Sequence, residues 1–173
     1  KQGKVGFAEK ELTKTDRNGK LAGTFEPLTN WAGKCGNSLT RPLMEATLGI
    51  HVDAELPKFY KDTFVKRTEK KPTDVIRKAP GFGRKAVIYA TCFGNYNSPE
   101  IGVAARAVLA KNGVETEVVY PGCCGMPQLE QGDIAGVAEN AAQVAAELAP
   151  WIEKGYDVIS LVPSCTLMLK FEW

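Results

Sequence analysis

Four of the five cysteines lie just past short apolar runs. Cys92 follows residues 86–91 (AVIYAT), the adjacent Cys123 and Cys124 follow residues 115–120 (ETEVVY) with Pro121 and Gly122 between, and Cys165 follows residues 158–162 (VISLV) after Pro163 and Ser164. Each run is rich in β-branched residues, which predicts a strand. If the strands are parallel, their carboxyl ends meet at one edge of the sheet, where open α/β folds bind ligands. Four thiols gathered there predict a metal or cluster site, since four thiolates hold either tetrahedral zinc or a 4Fe-4S cluster.

Other thiol chemistries fit these cysteines poorly. No two cysteines are three positions apart, as a thioredoxin-type pair requires. Ser98 stands where a Cys-x5-Arg phosphatase motif starting at Cys92 would need arginine, and the first strand-to-helix turn, TCFGNYNS, lacks the GxGxxG of a dinucleotide fold. A cysteine nucleophile usually needs a histidine base, and the single histidine, His51, lies far away along the chain. A redox sensor on the vicinal pair is disfavoured, since adjacent cysteines form a strained ring.

Helical patterns separate the three predicted strands. The first helix begins after Ser98 and carries an apolar stripe at Ile101, Ala104, Ala105, Val108 and Leu109. The second begins at Asp133 and carries apolar residues at Ile134, Val137, Ala141, Val144, Leu148 and Ile152. Pro150 predicts a kink or a division of that helix. The order strand, helix, strand, helix, strand predicts an α/β fold, a three-layer Rossmann-like parallel sheet (βαβαβ) with right-handed crossovers.

The first half of the chain has a weaker pattern. Residues 1–80 are interpreted as a loop and helical linker region, and residues 81–173 as an α/β domain that is truncated at its C-terminus. Residues 1–39 have no sustained period and predict mostly loop, with anchors at Phe25, Leu28 and Trp31. A short helix is predicted between Thr40 and Gly49, and a second helical piece over about residues 57–67. The boundary is predicted near residues 81–83.

Composition bounds the class of protein. The 173 residues are 44% hydrophobic and 24% charged, which suits one ordinary core and excludes a disordered chain. No apolar run reaches the roughly 18 residues of a membrane span. Five cysteines, an odd number without a disulfide framework, favour a reducing, cytosolic compartment. Because the chain starts at Lys1 without Met and stops at Trp173 inside an apolar segment, we expect an internal piece of a longer protein.

Charge is distributed unevenly. The formal net charge is +2, yet residues 58–85 contain ten Lys or Arg against three acids, a local charge of +7. We interpret this stretch as a solvated linker, with docking on an acidic partner or an anionic lipid surface as the alternatives. It has few aromatic residues and no amphipathic stripe, so we expect no nucleic-acid partner. Cys35 is interpreted as a small hydrophobic residue and His51 as an ordinary surface histidine.

The cysteine segments resemble a known family. TCFGNY, PGCCGMP and VPSCTLMLK are similar to the CCG, or cysteine-rich, domain of iron-sulfur oxidoreductases, and the resemblance covers most of residues 25–173. The upstream segments LTNWAGK and GIHVDAELPKF are most similar to the branch that serves anaerobic glycerol-3-phosphate dehydrogenase. The 30 residues between Cys92 and Cys123 match the family spacing. Val162 stands where the family has a fifth cysteine, so this domain offers four thiols.

The resemblance implies an electron-transfer component of an oxidoreductase rather than a substrate-oxidising one. It implies that an iron-sulfur cluster, 4Fe-4S in type, is bound by Cys92, Cys123, Cys124 and Cys165, with zinc or an empty thiol site as alternatives. Electrons would pass from a flavin dehydrogenase partner, such as glycerol-3-phosphate dehydrogenase, toward a membrane quinone pool or another acceptor. The alternative function is a non-redox docking module. The implied location is the cytoplasm, including the inner face of the cell membrane.

Overall fold

A three-stranded parallel sheet lies at the centre of the protein. The computed structural model describes residues 6–70 and 73–173. The strand order is β2-β1-β3, with the strands at β1 (Lys85–Tyr89), β2 (Glu115–Val119) and β3 (Asp157–Ser160). β1 is central, and its Ala86 pairs with Thr116 on one side and Asp157 on the other. The predicted parallel pairing is therefore confirmed, although each strand ends slightly earlier than expected.

Helices precede and connect the strands. The segment before the sheet forms α1 (Phe7–Leu12), α2 (Thr15–Thr24), α3 (Glu26–Gly33), α4 (Arg41–Leu48) and α5 (Phe64–Lys70). The connections and the last segment form α6 (Cys92–Tyr96), α7 (Pro99–Lys111), α8 (Met126–Glu130), α9 (Ile134–Glu153), α10 (Pro163–Leu167) and a final π-helix (Met168–Glu172). No helix among residues 6–70 and 73–173 is long and apolar enough to cross a membrane.

The central strand is buried on both faces. Val87 and Tyr89 pack in one cluster with side chains of α9, whereas Ile88 and Ala90 pack in a second cluster with Phe64 of α5. Alternate residues of a strand point to opposite faces, so each face of β1 has its own apolar cover. The arrangement is that of an α/β protein with helices flanking a small parallel sheet.

α7 begins and ends as predicted, but its most buried face differs from the predicted stripe, of which Leu109 packs, partly buried, on the cluster around Phe64. Ile101 and Val108 of the predicted stripe are 51% and 60% exposed, and the buried positions are Pro99, Gly102, Arg106 and Ala110. The reason is close packing on α5, since a Cβ at Gly102 would lie 2.6 Å from the ring of Phe64. The Arg106 guanidinium crosses to β2, where its Nε donates to Thr116 Oγ1 at 3.2 Å.

α9 follows its predicted stripe in the middle but not at its ends. Val137, Val144 and Leu148 are buried, whereas Ile134 and Ile152 are exposed. The helix is continuous from Ile134 to Glu153, so Pro150 does not divide it, and the alternative of a kink stays a prediction. Pro150 lies in the last turn of α9. A proline removes one backbone hydrogen bond, and only a few helical residues follow it here.

The prediction of mostly loop for residues 1–39 is wrong for the described part, because α1, α2 and α3 occupy much of residues 6–39. Residues 1–5 lie outside the described residues. The predicted anchors Phe25, Leu28 and Trp31 are 60%, 62% and 50% exposed, so the prediction that they anchor this segment in a core is wrong. The buried positions of α2 are instead Gly19 and Gly23. Glycine has a low helix propensity, and sequence patterns therefore do not reveal a helix that packs through glycine.

The helix predicted between Thr40 and Gly49 is confirmed as α4, and Gly49 ends it in the left-handed conformation with φ 71°. Its buried residue is Arg41, whose guanidinium donates to the carbonyls of His51 at 2.6 Å and Ala54 at 2.7 Å. The next helix starts at Phe64, so the bounds predicted around residues 57–67 are wrong. The domain boundary near residues 81–83 stays a prediction.

Candidate metal centre

Cys92 lies at the turn between β1 and α6. It is the first residue of α6, and the preceding Thr91 accepts a hydrogen bond from the Gly94 N–H at 3.1 Å through its hydroxyl. That side-chain cap begins a helix immediately after the strand ends. Cys92 is half-buried, and it therefore combines a fixed backbone with partial access to its sulfur.

Cys123 and Cys124 lie in the loop between β2 and α8, and both are buried. Glycines flank the pair, with φ of 142° at Gly122 and 89° at Gly125, a region that L side chains rarely adopt. The Tyr89 hydroxyl donates to the Gly122 carbonyl at 2.7 Å and fixes the loop to the central strand. The Gly125 N–H points at the Cys123 sulfur at 3.5 Å.

Cys165 lies in α10 directly after β3, and its sulfur is 3.2 Å from that of Cys124. The indole N–H of Trp173 donates to the Cys124 carbonyl at 3.1 Å. The C-terminal π-helix therefore closes over the same loop.

The structure brings together all four strand-end cysteines. The Thr15 hydroxyl lies 3.4 Å from the Cys92 sulfur and 3.3 Å from the Cys123 sulfur, and Cys124 contacts Cys165. Cys35 is exposed in the turn after α3, and in the part of the chain that the structure describes it makes no hydrogen bond to the four. His51 is exposed in the loop after α4, as expected of a surface histidine.

Sequence reasoning missed the contribution of α2 to this site. Thr15 is separated from Cys92 by 77 residues and from Cys123 by 108. Its neighbour Asp16 accepts a hydrogen bond from the Tyr120 hydroxyl at 2.5 Å. A threonine and an aspartate in a polar segment carry no motif, so no local signal could have identified them.

The four thiols shift one another's pKa values in opposite directions. Hydrogen bonds from Cys124 and then from Cys92 hold the pKa of Cys123 far below its usual range, and a hydrogen bond from Cys124 lowers the pKa of Cys165. The same bonds, together with burial, raise the pKa of Cys92 and of Cys124. The shifts at Cys123 and Cys165 are toward the thiolate, the metal-binding form of cysteine, whereas those at Cys92 and Cys124 are toward the thiol.

The donor set fits zinc or an iron-sulfur cluster by chemistry, because both accept four thiolates. The Cys124 and Cys165 sulfurs are 3.2 Å apart, which is the distance of a hydrogen-bonded thiol pair. Tetrahedral zinc with Zn–S bonds of about 2.3 Å sets its ligand sulfurs roughly 3.8 Å apart. Among the described residues, no group of three or more His, Cys, Asp or Glu meets the geometry of a metal site. Metal binding would require this pair to separate.

Comparison with known proteins confirms the predicted resemblance. Residues 86–170 match the family described as CCG, a cysteine-rich domain. Two curated relatives are subunits of anaerobic glycerol-3-phosphate dehydrogenase, one from Escherichia coli (strain K12) and one from Escherichia coli O157:H7, each 26% identical over 164 residues. The alignment covers 94% of this chain and 40% of each relative, so the chain spans about two fifths of their length. No solved structure matches the chain.

Proposed function

Because residues 86–170 match the CCG cysteine-rich domain, we propose that this chain is an electron-transfer module of an oxidoreductase. Cys92, Cys123, Cys124 and Cys165 would together bind an iron-sulfur cluster, 4Fe-4S in type. The observation that carries the proposal is the meeting of these four thiols at the carboxyl edge of a parallel sheet, where open α/β proteins bind their ligands.

The surroundings of the thiols suit a redox centre. When bound, a cluster supplies one-electron transfer, and its potential depends on hydrogen bonds to sulfur and on burial. Here the Gly125 N–H and the Thr15 hydroxyl lie within hydrogen-bonding distance of the sulfurs. Cys123, Cys124 and Cys165 are each at most 5% exposed, which keeps water from most of the site. We assign no residue to chemistry on an organic substrate.

Partner and location both belong to the proposal. The two relatives are named as subunits of anaerobic glycerol-3-phosphate dehydrogenase, which supports a dehydrogenase partner, and we propose one of the flavin class. Electrons would pass from that partner through this chain toward a quinone pool or another acceptor. We place the assembly in the cytoplasm, including the inner face of the cell membrane, and the domain among Rossmann-like three-layer folds.

The test is a measurement of iron and acid-labile sulfide after anaerobic purification or reconstitution. We expect about four of each per chain, brown colour and a reducible EPR signal. Serine substitution at Cys92, Cys123, Cys124 or Cys165 should lower the iron content, because an alcohol is a poor replacement for a thiolate. Cys35→Ser is the matched control, because Cys35 is exposed and should leave the iron content unchanged. Absence of both iron and sulfide would contradict the cluster.

A docking module with structural zinc is the second candidate. It is favoured by the short distance between the Cys124 and Cys165 sulfurs, 3.2 Å, which needs only a small separation to reach that of tetrahedral zinc. One zinc ion per chain in a protein without visible absorbance would support this candidate and contradict electron transfer. The basic stretch, residues 58–85, would then supply the contact with a partner protein.

A further inference from the structure

Helix α2 reaches the thiol site from outside the matched domain. Its first residue, Thr15, lies within 3.4 Å of the Cys92 sulfur and 3.3 Å of the Cys123 sulfur, whereas the CCG match starts at residue 86. A hydroxyl has one hydrogen, so Thr15 donates to one sulfur at a time and bridges the loops that follow β1 and β2. The site therefore includes a side chain from the N-terminal part of the chain.

Three further contacts hold α2 in this position, and each involves a different segment around the cysteines. The Tyr120 hydroxyl, just before the vicinal pair, donates to Asp16 at 2.5 Å. Gly19 packs on the ring of Tyr96 in α6, so closely that a Cβ would lie 2.5 Å from it. Just before α2, the Thr13 carbonyl accepts from the amide of Gln128 in α8 at 3.1 Å. Because three segments around the cysteines contact α2 or the residue before it, α2 covers the thiols in a defined position.

We propose that α2 is a wall of the thiol site and that Thr15 is a positioning residue for the sulfurs of Cys92 and Cys123. The inference rests on the proposed function in one respect, that these sulfurs are metal ligands. Two parts of the inference do not depend on a metal. Helix α2 limits access to the two sulfurs, and the Thr15 hydroxyl keeps both within hydrogen-bonding distance of itself. In the loaded protein, the same hydroxyl is a hydrogen-bond donor to ligand sulfur, which tunes metal affinity and potential.

Access is tested on the metal-free chain by the rate of alkylation at Cys92 and Cys123, with the modified residues identified by mass spectrometry. Tyr120→Phe removes the bond to Asp16, and Gly19→Ala forces α2 away from Tyr96. We expect Tyr120→Phe to raise the rate about fivefold, the change in a local opening equilibrium that one lost hydrogen bond produces, and Gly19→Ala to raise it as well, because its Cβ overlaps the Tyr96 ring. Gly33→Ala is the matched control, since its Cβ would meet Leu56 at an ordinary 3.6 Å and should not change the rate.

The positioning role is tested by Thr15→Val, which keeps the shape and removes the donor, and by Thr15→Ser, which keeps the donor. With zinc alone as the probe, we expect Thr15→Val to weaken binding about tenfold or more, as loss of a hydrogen-bonding partner of a metal ligand generally does, and Thr15→Ser to restore most of it. In a reconstituted cluster, Thr15→Val should shift the midpoint potential to more negative values. The control is Thr24→Val in the same helix, whose exposed hydroxyl donates to the Lys20 carbonyl and has no other partner among the described residues.

The outcomes separate this inference from the proposed function. Faster alkylation in Tyr120→Phe supports the wall even in a protein that binds neither iron nor zinc. An unchanged alkylation rate in Tyr120→Phe overturns the proposal that α2 is a wall. A folded Gly19→Ala variant that is alkylated at the parent rate overturns it too. Equal zinc affinity and potential in Thr15→Val and the parent overturn the positioning role, although the cluster proposal would stand.

Discussion

The loop that carries Cys123 and Cys124 is fastened by single side-chain contacts. Tyr89 is 1% exposed, and its hydroxyl is bonded to the Gly122 carbonyl, while burial raises the pKa of its phenol well above the usual range. The Trp173 indole N–H donates a hydrogen bond to the Cys124 carbonyl. The vicinal pair is thus positioned by aromatic residues from the central strand and the last segment of the chain.

We predict that Tyr89→Phe lowers the free energy of unfolding by about 1–2 kcal/mol, because the Gly122 carbonyl loses its partner while the ring volume is kept. Urea denaturation of the metal-free chain measures the change. The matched control is Tyr156→Phe, whose hydroxyl makes no hydrogen bond within residues 6–70 and 73–173 and which should stay near the parent stability. Equal stability of Tyr89→Phe and the parent would show that the bond contributes nothing.

At the scale of elements, α7 shows how one small residue decides the packing of a helix. The predicted stripe of Ile101 and Val108 faces outward, and the helix instead turns Gly102 toward the Phe64 ring. Burial of a fully enclosed phenylalanine is worth more than partial burial of the exposed aliphatic residues. The absence of a side chain at Gly102 is what lets α5 and α7 approach each other.

We predict that Gly102→Ala destabilises the protein by about 1–3 kcal/mol, because the new Cβ overlaps the Phe64 ring and overpacking outweighs the gain in helix propensity. Thermal unfolding measures the effect. Gly33→Ala, also in a helix, has room for its Cβ and should match or exceed the parent. A gain in stability for Gly102→Ala would contradict the close packing of α5 on α7.

At the scale of the whole molecule, the N-terminal helices and the sheet domain are joined beside the thiol site by a half-buried acid–phenol pair, Asp16 and Tyr120. Burial, and then the hydrogen bond to Asp16, raises the pKa of Tyr120 well above its usual value near 10. In the folded chain the neutral phenol is therefore favoured, whereas in the unfolded chain the phenol ionises near its usual pKa. The stabilisation is complete below about pH 10 and is lost as the pH rises further.

We predict that the parent loses stability steeply above about pH 10 and that Tyr120→Phe loses less over the same range, since it has no proton to release there. Below about pH 9 the variant should be less stable than the parent by about 1 kcal/mol, the value of a typical hydrogen bond. Chemical denaturation at a series of pH values measures both. Parallel pH profiles for the two proteins would contradict a raised pKa at Tyr120.

Part of this architecture could be predicted from local patterns. The three strands, α4, α7 and α9 follow from short-range periodicity, proline and glycine, because these features act between residues a few positions apart. The meeting of Cys92, Cys123, Cys124 and Cys165 could be predicted too, since parallel strands necessarily bring their carboxyl ends to one edge. Their role as ligands stays a proposal.

The rest depended on contacts between distant residues. No local rule chooses Gly102 over Ile101 as the buried position of α7, because the choice rests on Phe64 in another helix. Nor does any rule join Thr15 to sulfurs 77 and 108 residues away. The sequence by itself determined the order of elements and the common edge of the cysteines. Tertiary structure alone decided which helix covers that edge, because side-chain packing depends on surfaces that exist only once the chain has folded.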